Sequence, residues 1–392
     1  MDLVNECVSD EPLRSIVLNV GGVVDPDHLV GRGRELSDLD QAITTSEGAL
    51  LVGDRRMGKT SLSKKLAELL EQRGHNVIRI SAQTTKPEVL ATRIRTELGQ
   101  NSTFRKELDK WSAHVEVTKF GVTLKRTPLD KNAKQERGDL FEWAAETAGK
   151  GQLIVIIDEL AAFLQSFDDL DAATEFMSSL RVVRQNHANV TMVFAGSIGL
   201  HHVIPPGKGL TNDLIPISVG SLEPCDAYYL ARCLIAETQL NCKDEKQLAA
   251  AIATEVDFIP FYIHFLIQQL LSLEQLVDVD DVGPLLGSAF EDPLDPLDFA
   301  HYRDRLEQYY GSLAAVSARA LDHYALDGEL SIEALAQRLA ADELEPRPSR
   351  DELTGLIEGL ERDHYIERRP GGSNEFASKV LRQGWLALRR LN

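Results

Sequence analysis

Residues 49–60, ALLVGDRRMGKT, constrain this chain more than any other stretch. A short, wholly apolar run ends on a glycine and reads as a buried parallel strand. Gly53 to Thr60 then fit G-x-x-x-x-G-K-[ST] in every position. Glycines at these places let the backbone wrap a phosphate with consecutive N–H groups turned inward. A helix opens directly behind them, and its N-terminal dipole favours an anion. Gly53, Asp54, Arg55, Arg56, Met57, Gly58, Lys59, Thr60 and Ser61 are therefore the candidate phosphate-binding set. Lys59 is expected to reach the β- and γ-phosphates of a nucleotide, and Thr60 to ligate Mg²⁺. A mere glycine-rich turn with a solvated lysine is the competing reading. The strand before the loop and the helix after it speak against it.

The second signal is LIVIIDEL (153–160), about a hundred residues downstream. It places Asp158 and Glu159 at the C-terminal end of a buried strand, where ligands bind in parallel sheets. Asp158 is expected to hold Mg²⁺ through water, and Glu159 to polarise the attacking water as a catalytic base. An acid pair capping the next helix is the alternative. VTMVFAGS (190–197) brings Ser197 to the end of a neighbouring strand. There it either orients water or the γ-phosphate, or simply caps the strand. Arg32 and Arg34, in VGRGREL, precede the first strand and are expected to close over the base or ribose. The GRG run is not a dinucleotide motif: the pattern is incomplete and no strand leads into it.

Five apolar runs (49–53, 76–82, 153–160, 190–197, 214–222) alternate with helix-period segments. That alternation predicts an α/β fold, a five-stranded parallel sheet with helices on both faces. HVEVTKFGVTLKRT (114–127) alternates in period two and reads as an inserted hairpin, at about 112–128. From Pro224 the pattern is helical only, and EDPLDPLD (291–298) reads as a linker. The expected division is an N-terminal arm (1–28), a P-loop core (29–222), a helical stretch (223–298) and a winged helix (299–392). A net charge of -19 excludes a chain-wide nucleic-acid surface and leaves only local basic patches. Cys7, Cys225, Cys233 and Cys242 form no CxxC pair and are expected as reduced thiols. No apolar run approaches membrane-spanning length, and the N-terminus lacks a signal-peptide pattern, so a cytoplasmic protein is expected.

LVGRGREL, GDRRMGKTSL, LIVIIDEL and VFAGS, in this order, resemble the AAA+ ATPases of the signal-transduction (STAND) group. The resemblance is to the archaeal and bacterial ATPase branch, related to archaeal origin-recognition ATPases, and covers roughly residues 29–270. LIPISVGSLEPCDA (214–227) and HYRDRLEQYYG (301–311) share it. It implies sheet order 5-1-4-3-2, a role for 223–298 as a helical lid, and a nucleotide between sheet and lid. The family's lid carries Gly-x-Pro near the adenine; in DFIPFYI (257–263) Pro260 matches and the glycine is missing. No lid arginine of the sensor type stands there. Arg181 and Arg184 are read as arginine fingers acting in trans or, in preference, as a solvated helix face.

SLAAVSARALDHYAL, SIEALAQRLAA and SRDELTGLIEGLERDHY, followed by the hairpin IERRPGGSNEFAS, read as a winged helix. Ser349–Arg362 would be its recognition helix. Glu358, Glu361 and Asp363 on the expected exposed face disfavour groove reading. Lys379, Arg382, Arg389 and Arg390 make the end more basic. The reading that follows is a slow ATPase, binding ATP or ADP with Mg²⁺ and acting as a switch toward a protein partner or further copies of itself. The alternatives are an ATP-dependent DNA-binding protein with contacts in 349–392, and a nucleotide-bound scaffold without turnover, against which Glu159 argues.

Overall fold

The first strand ends where Gly53 begins, and its residues alternate between two covered faces. The computed structural model describes residues 2–7, 12–45, 48–84, 86–128, 136–167, 169–196, 199–204, 209–342 and 348–391. The chain divides into two compact units, Val23–Gly220 and Met1–Gly22 joined with Ser221–Asn392.

The first element, α1 (Leu3–Glu6), belongs to the discontinuous unit. Val23–Gly220 then runs α2 (Gly33–Thr44), β1 (Ala49–Val52), α3 (Lys59–Gln72), β2 (Asn76–Ser81), α4 (Pro87–Gln100) and α5 (Ser102–Leu108). It continues through β3 (Trp111–Thr118), β4 (Gly121–Pro128), β5 (Glu136–Asp139), α6 (Leu140–Ala148), β6 (Leu153–Asp158) and α7 (Leu160–Leu164). It closes with α8 (Leu170–Asn186), β7 (Val190–Ala195) and β8 (Ile215–Ser218). β1, β2, β6, β7 and β8 form one parallel sheet in the order β2-β6-β7-β1-β8. In strand sequence this is 5-1-4-3-2 from one edge, the order the resemblance implies.

Period two decides both faces. Ile154 and Ile156 of β6 join Leu51, Val193 and Ile217 beneath Leu39, Leu62 and Leu66 of α2 and α3. Leu153, Val155 and Ile157 point the other way, to Ile94, Phe141, Phe176 and Leu180 of α4, α6 and α8. The hairpin β3–β4 packs its alternate residues Val115, Val117, Val122 and Leu124 into that second layer. A third strand, β5, pairs antiparallel with β4. The sequence shows no apolar alternation there, because ERGD holds no apolar side chain.

The other unit continues with α9 (Pro224–Thr238), α10 (Glu245–Glu255), α11 (Pro260–Leu271), α12 (Val282–Glu291) and α13 (Ala300–Tyr309). α14 (Ala314–Asp327), α15 (Ile332–Ala341), α16 (Arg350–Arg362), the antiparallel pair β9 (Ile366–Arg368) and β10 (Asn374–Phe376), and α17 (Lys379–Arg389) complete it. Ser349 and Glu352 form a reciprocal capping box at the start of α16, and Leu330 bridges to Asn374 beside the hairpin.

The N-terminal segment is anchored to this unit. Ile16 is fully buried, the Tyr229 hydroxyl donates to the Pro12 carbonyl, and Arg14 lies over the Tyr229 ring. Cys7 and Cys225 are joined by a disulfide, which corrects the expectation of four reduced thiols. Spacing rules see only local cysteine patterns, and these two are 218 residues apart. Cys233 and Cys242 are free thiols.

His264, on α11, accepts a hydrogen bond at Nδ1 from the Asn19 N–H, which requires the neutral ring. Burial pushes its pKa down from 6.5 to about 4. Above pH 6.5 the ring is neutral in both folded and unfolded chains and adds no pH dependence. Between pH 6.5 and 4 the unfolded chain takes up a proton that the folded one refuses, so stability falls with pH, by up to about 3 kcal/mol. Denaturant unfolding of wild type and His264→Gln at pH 7 and pH 4 should therefore show a shallower acid loss in the variant. Parallel losses would remove His264 from the acid response.

A second polar cluster corrects the expected surface of α16. Asp363 is not on an exposed face: its side chain is 1% exposed, accepts from the Tyr310 hydroxyl at 2.8 Å and pairs with Arg305 at 3.5 Å. Arg305 also lies over the Tyr365 ring. Helical periodicity placed the carboxylate outside. The chain leaves the helix there (Arg362 is its last residue), and the turn swings Asp363 toward α13.

A phosphate loop beside an acidic strand end

Gly53 takes φ 152°, and a Cβ built there would lie 2.2 Å from the Val219 carbonyl oxygen. The chain after β8 passes too close for any side chain. Arg56 and Gly58 take φ 69° and 88°, two residues apart. Such alternation turns successive N–H groups toward one side and makes an anion-binding concavity. A Cβ at Gly58 would meet nothing within 4 Å, so the loop is open on that side. Gly58 also caps α3, whose first turn closes through Leu62 N–H to the Gly58 carbonyl. Buried Lys59 donates from Nζ to the Gly53 and Asp54 carbonyls at 2.8 and 2.6 Å, which holds its ammonium against the loop. Asp54 accepts from the Arg55 N–H at 2.7 Å. This donor set and curvature fit a phosphate.

The remaining loop candidates divide by what they touch. Thr60, half-buried, is the second residue of α3. The Ser61 hydroxyl accepts from the Val24 N–H at 3.0 Å and ties the incoming chain to α3. Arg32, expected over the base or ribose, is instead braced against the loop. Its side chain is 3% exposed and donates to the Met57 carbonyl at 2.7 Å, the Gly220 carbonyl at 2.6 Å and Glu35 at 2.7 Å. One guanidinium so links the phosphate loop to the chain after β8. Sequence reading missed this brace, because nothing local in GRG marks an arginine whose partners lie 25 and 188 residues away.

Asp158 ends β6 and is 2% exposed; its Oδ1 accepts from the Glu159 N–H at 3.0 Å. Glu159 sits in the left-handed region at φ 56°, ψ 35°. For a non-glycine residue that conformation costs about 1–2 kcal/mol, and such strain persists where surrounding structure enforces it, often at functional sites. It caps α7 by backbone position without a side-chain cap bond, so the helix-capping reading of the acid pair finds no support. β1 and β6 are separated in the sheet by β7 alone. Two strand spacings set the phosphate loop and the carboxylates about 10 Å apart. A terminal phosphate, a metal and its water fill such an interval. Asp158 and Thr60 offer the hard oxygen ligands that Mg²⁺ takes, so the residues present fit that ion. Ser197 lies outside the described residues; β7, which leads to it, ends at Ala195 between the other two strands.

Residues 43–204 match the family model of the AAA domain. Strand order, loop and acidic strand end agree with the match, and this unit carries an AAA-type P-loop domain. Among curated proteins no relative matches the chain. Among solved structures it is similar to a Walker-type ATPase of Pyrococcus abyssi, with 16% identity over 92% of this chain and 97% of that one, at a TM-score of 0.62. The ORC2 protein of Aeropyrum pernix, in ADPNP–ADP complexes, is 11% identical over 93% and 96% of the two chains, with a TM-score of 0.49. The RuvB Holliday junction branch migration motor of Thermotoga maritima is 14% identical over 91% and 94%, at 0.41. Of these three, only the first is near enough in shape to carry weight, and at 16% identity it speaks for the fold.

Other expected residues lie elsewhere. Arg184 is neither a free finger nor part of a solvated face. Its side chain is 6% exposed and grips Asp213 through Nε and Nη2, with its guanidinium over the Phe194 ring. Burial pushes its pKa down against the pull of Asp213. Arg181 is half-buried on the same helix. Pro260 opens α11 in the other unit. The glycine missing from Gly-x-Pro falls at Phe258, and there the backbone takes φ 60°, after φ 49° at Asp257. The conformation that favours glycine is kept without the glycine. Among the described residues no helix is long and apolar enough to cross a membrane.

Proposed function

We propose that this chain is an ATP-hydrolysing switch of the AAA+ type, of the STAND group. The observation that carries the reading is the phosphate loop of Gly53–Thr60 two strands from Asp158 and strained Glu159. Lys59 and the loop N–H groups bind the β- and γ-phosphates of ATP. Thr60 and Asp158 hold Mg²⁺, which when bound neutralises charge on the phosphate oxygens. Glu159 accepts a proton from water as the water oxygen attacks the γ-phosphorus. The bond to the bridging oxygen breaks, and ADP and phosphate leave. Ser197 is proposed to orient that water. Arg32 acts as a positioning residue for the loop, and Pro260 is proposed beside the adenine. Residues 223–298 are proposed as the lid and 299–392 as a winged helix that signals to a protein partner, in a cytoplasmic setting.

The DNA-binding alternative draws less support from the side chains. Arg389 is bound to Asp322 through two nitrogens, Arg369 to Glu367 and Glu375, and Arg382 to the Ala325 carbonyl. With these three arginines engaged, Arg368 and Arg390 remain for phosphates, too few for a strong counterion-release term.

Hydrogen exchange tests the switch. Glu159→Gln loaded with ATP and Mg²⁺ should differ from wild type loaded with ADP in amide protection of 224–271, since a switch requires differential contact of the two nucleotides with its two states. Identical exchange in both would leave a nucleotide-binding ATPase that is not a switch.

A further inference from the structure

Helix α12 carries Gly283 and Gly287 one turn apart on one face. A glycine inside a helix costs about 1 kcal/mol relative to alanine. Neither has a positive φ, and a Cβ built at either meets nothing within 4 Å. Packing inside the fold therefore does not require them. Gly384 on α17 is the contrast: a Cβ there would strike the Phe299 ring at 2.2 Å. The two unexplained glycines line a groove of about 730 Å³ between α12 and α17. Leu286, Phe290 and Leu386 give it apolar walls, and Glu255, Glu291, Asp292 and Asp295 outnumber Arg390 among its charges. Glu255 is held by Lys379, and Asp295 caps α13 through the Phe299 and Ala300 N–H groups. Glu291 and Asp292 are the exposed acids of the lip, and Leu294, in the loop between Asp292 and Asp295, is 87% exposed.

We propose that this groove docks an amphipathic helix of a partner protein whose polar side is basic. α12 has ten residues, about 15 Å of helix, enough to meet two to three turns of a partner laid along it. Apolar anchors at helical spacing fill such a groove, and glycines at its wall let the partner backbone approach closely. The acidic lip selects lysine and arginine beside those anchors. A second copy of this chain is the poorer occupant, because each carries a net charge of -19. The inference does not depend on ATP turnover, and it is tested without nucleotide, so its failure leaves the ATPase reading untouched.

The probe is a fluorescein-labelled peptide of about 14 residues, roughly 20 Å as a helix, with leucines at i, i+3, i+4 and i+7 and lysines elsewhere. A second peptide replaces every lysine with glutamate. Anisotropy titrations of the full chain should show saturable binding of the basic peptide and none of the acidic one. Gly287→Leu, whose Cβ meets nothing within 4 Å and whose side chain extends into the groove, should weaken binding at least about tenfold without lowering the melting temperature. Asp292→Lys should weaken it and flatten its salt dependence. Equal binding to wild type and Gly287→Leu would mean general attraction to an acidic chain and overturn the proposal. So would no binding at all, or equal binding of both peptides. Self-association in sedimentation that Gly287→Leu abolishes would assign the groove to a second copy and equally overturn it.

Discussion

Lys59→Ala should lower ATP affinity roughly a hundredfold, about 3 kcal/mol, without unfolding the chain. The ammonium is fixed by the carbonyls of Gly53 and Asp54 in a loop whose curvature fits a phosphate. Charge-assisted hydrogen bonds from such a group contribute about twice what neutral ones do. Alanine is the better helix former at the first position of α3, so the helix should survive. Isothermal titration with ATP and Mg²⁺ measures the loss, and denaturant unfolding checks the fold. Equal affinity in a folded variant would show that Lys59 serves to shape the loop and does not reach the phosphates.

Glu159→Gln should leave ATP affinity within a few-fold of wild type and cut phosphate release by about 10²–10⁴. The amide preserves size and one acceptor oxygen yet accepts no proton from water. Glu159→Gly should lose hydrolysis as well, but gain about 1 kcal/mol of stability, because glycine takes φ 56° without cost. The pair of variants separates chemistry from strain. If Glu159→Gln released phosphate at the wild-type rate, another group would be the base, and the left-handed turn would be a structural device alone.

The central fold was legible because burial on two faces leaves a strong local trace. Five apolar runs interleaved with helical segments became the five parallel strands, and period two in LIVIID sent Ile154 and Ile156 to one layer and Val155 and Ile157 to the other. The phosphate loop was legible for a related reason: wrapping an anion needs glycine at Gly53 and Gly58, where the backbone takes positive φ. Polar partners were not legible. Arg184 reads as a solvated helix residue in sequence, yet Asp213, 29 positions later, holds it in a buried pair. Asp363 reads as an exposed helix acid, yet Arg305 and Tyr310 enclose it.

By itself, then, the sequence determined the sheet, its alternation with helices, the curved loop between β1 and α3 and the acid pair at the end of β6 and the start of α7. These rest on residues near one another in the chain, where hydrophobic period and glycine freedom act locally. Tertiary structure alone decided that Arg32 braces the loop from Met57 to Gly220, that Cys7 meets Cys225 across 218 residues, and that Phe258 holds a glycine-like conformation before Pro260. Each of those depends on which distant carbonyl, thiol or backbone the fold brings alongside, and chain position carries no mark of it.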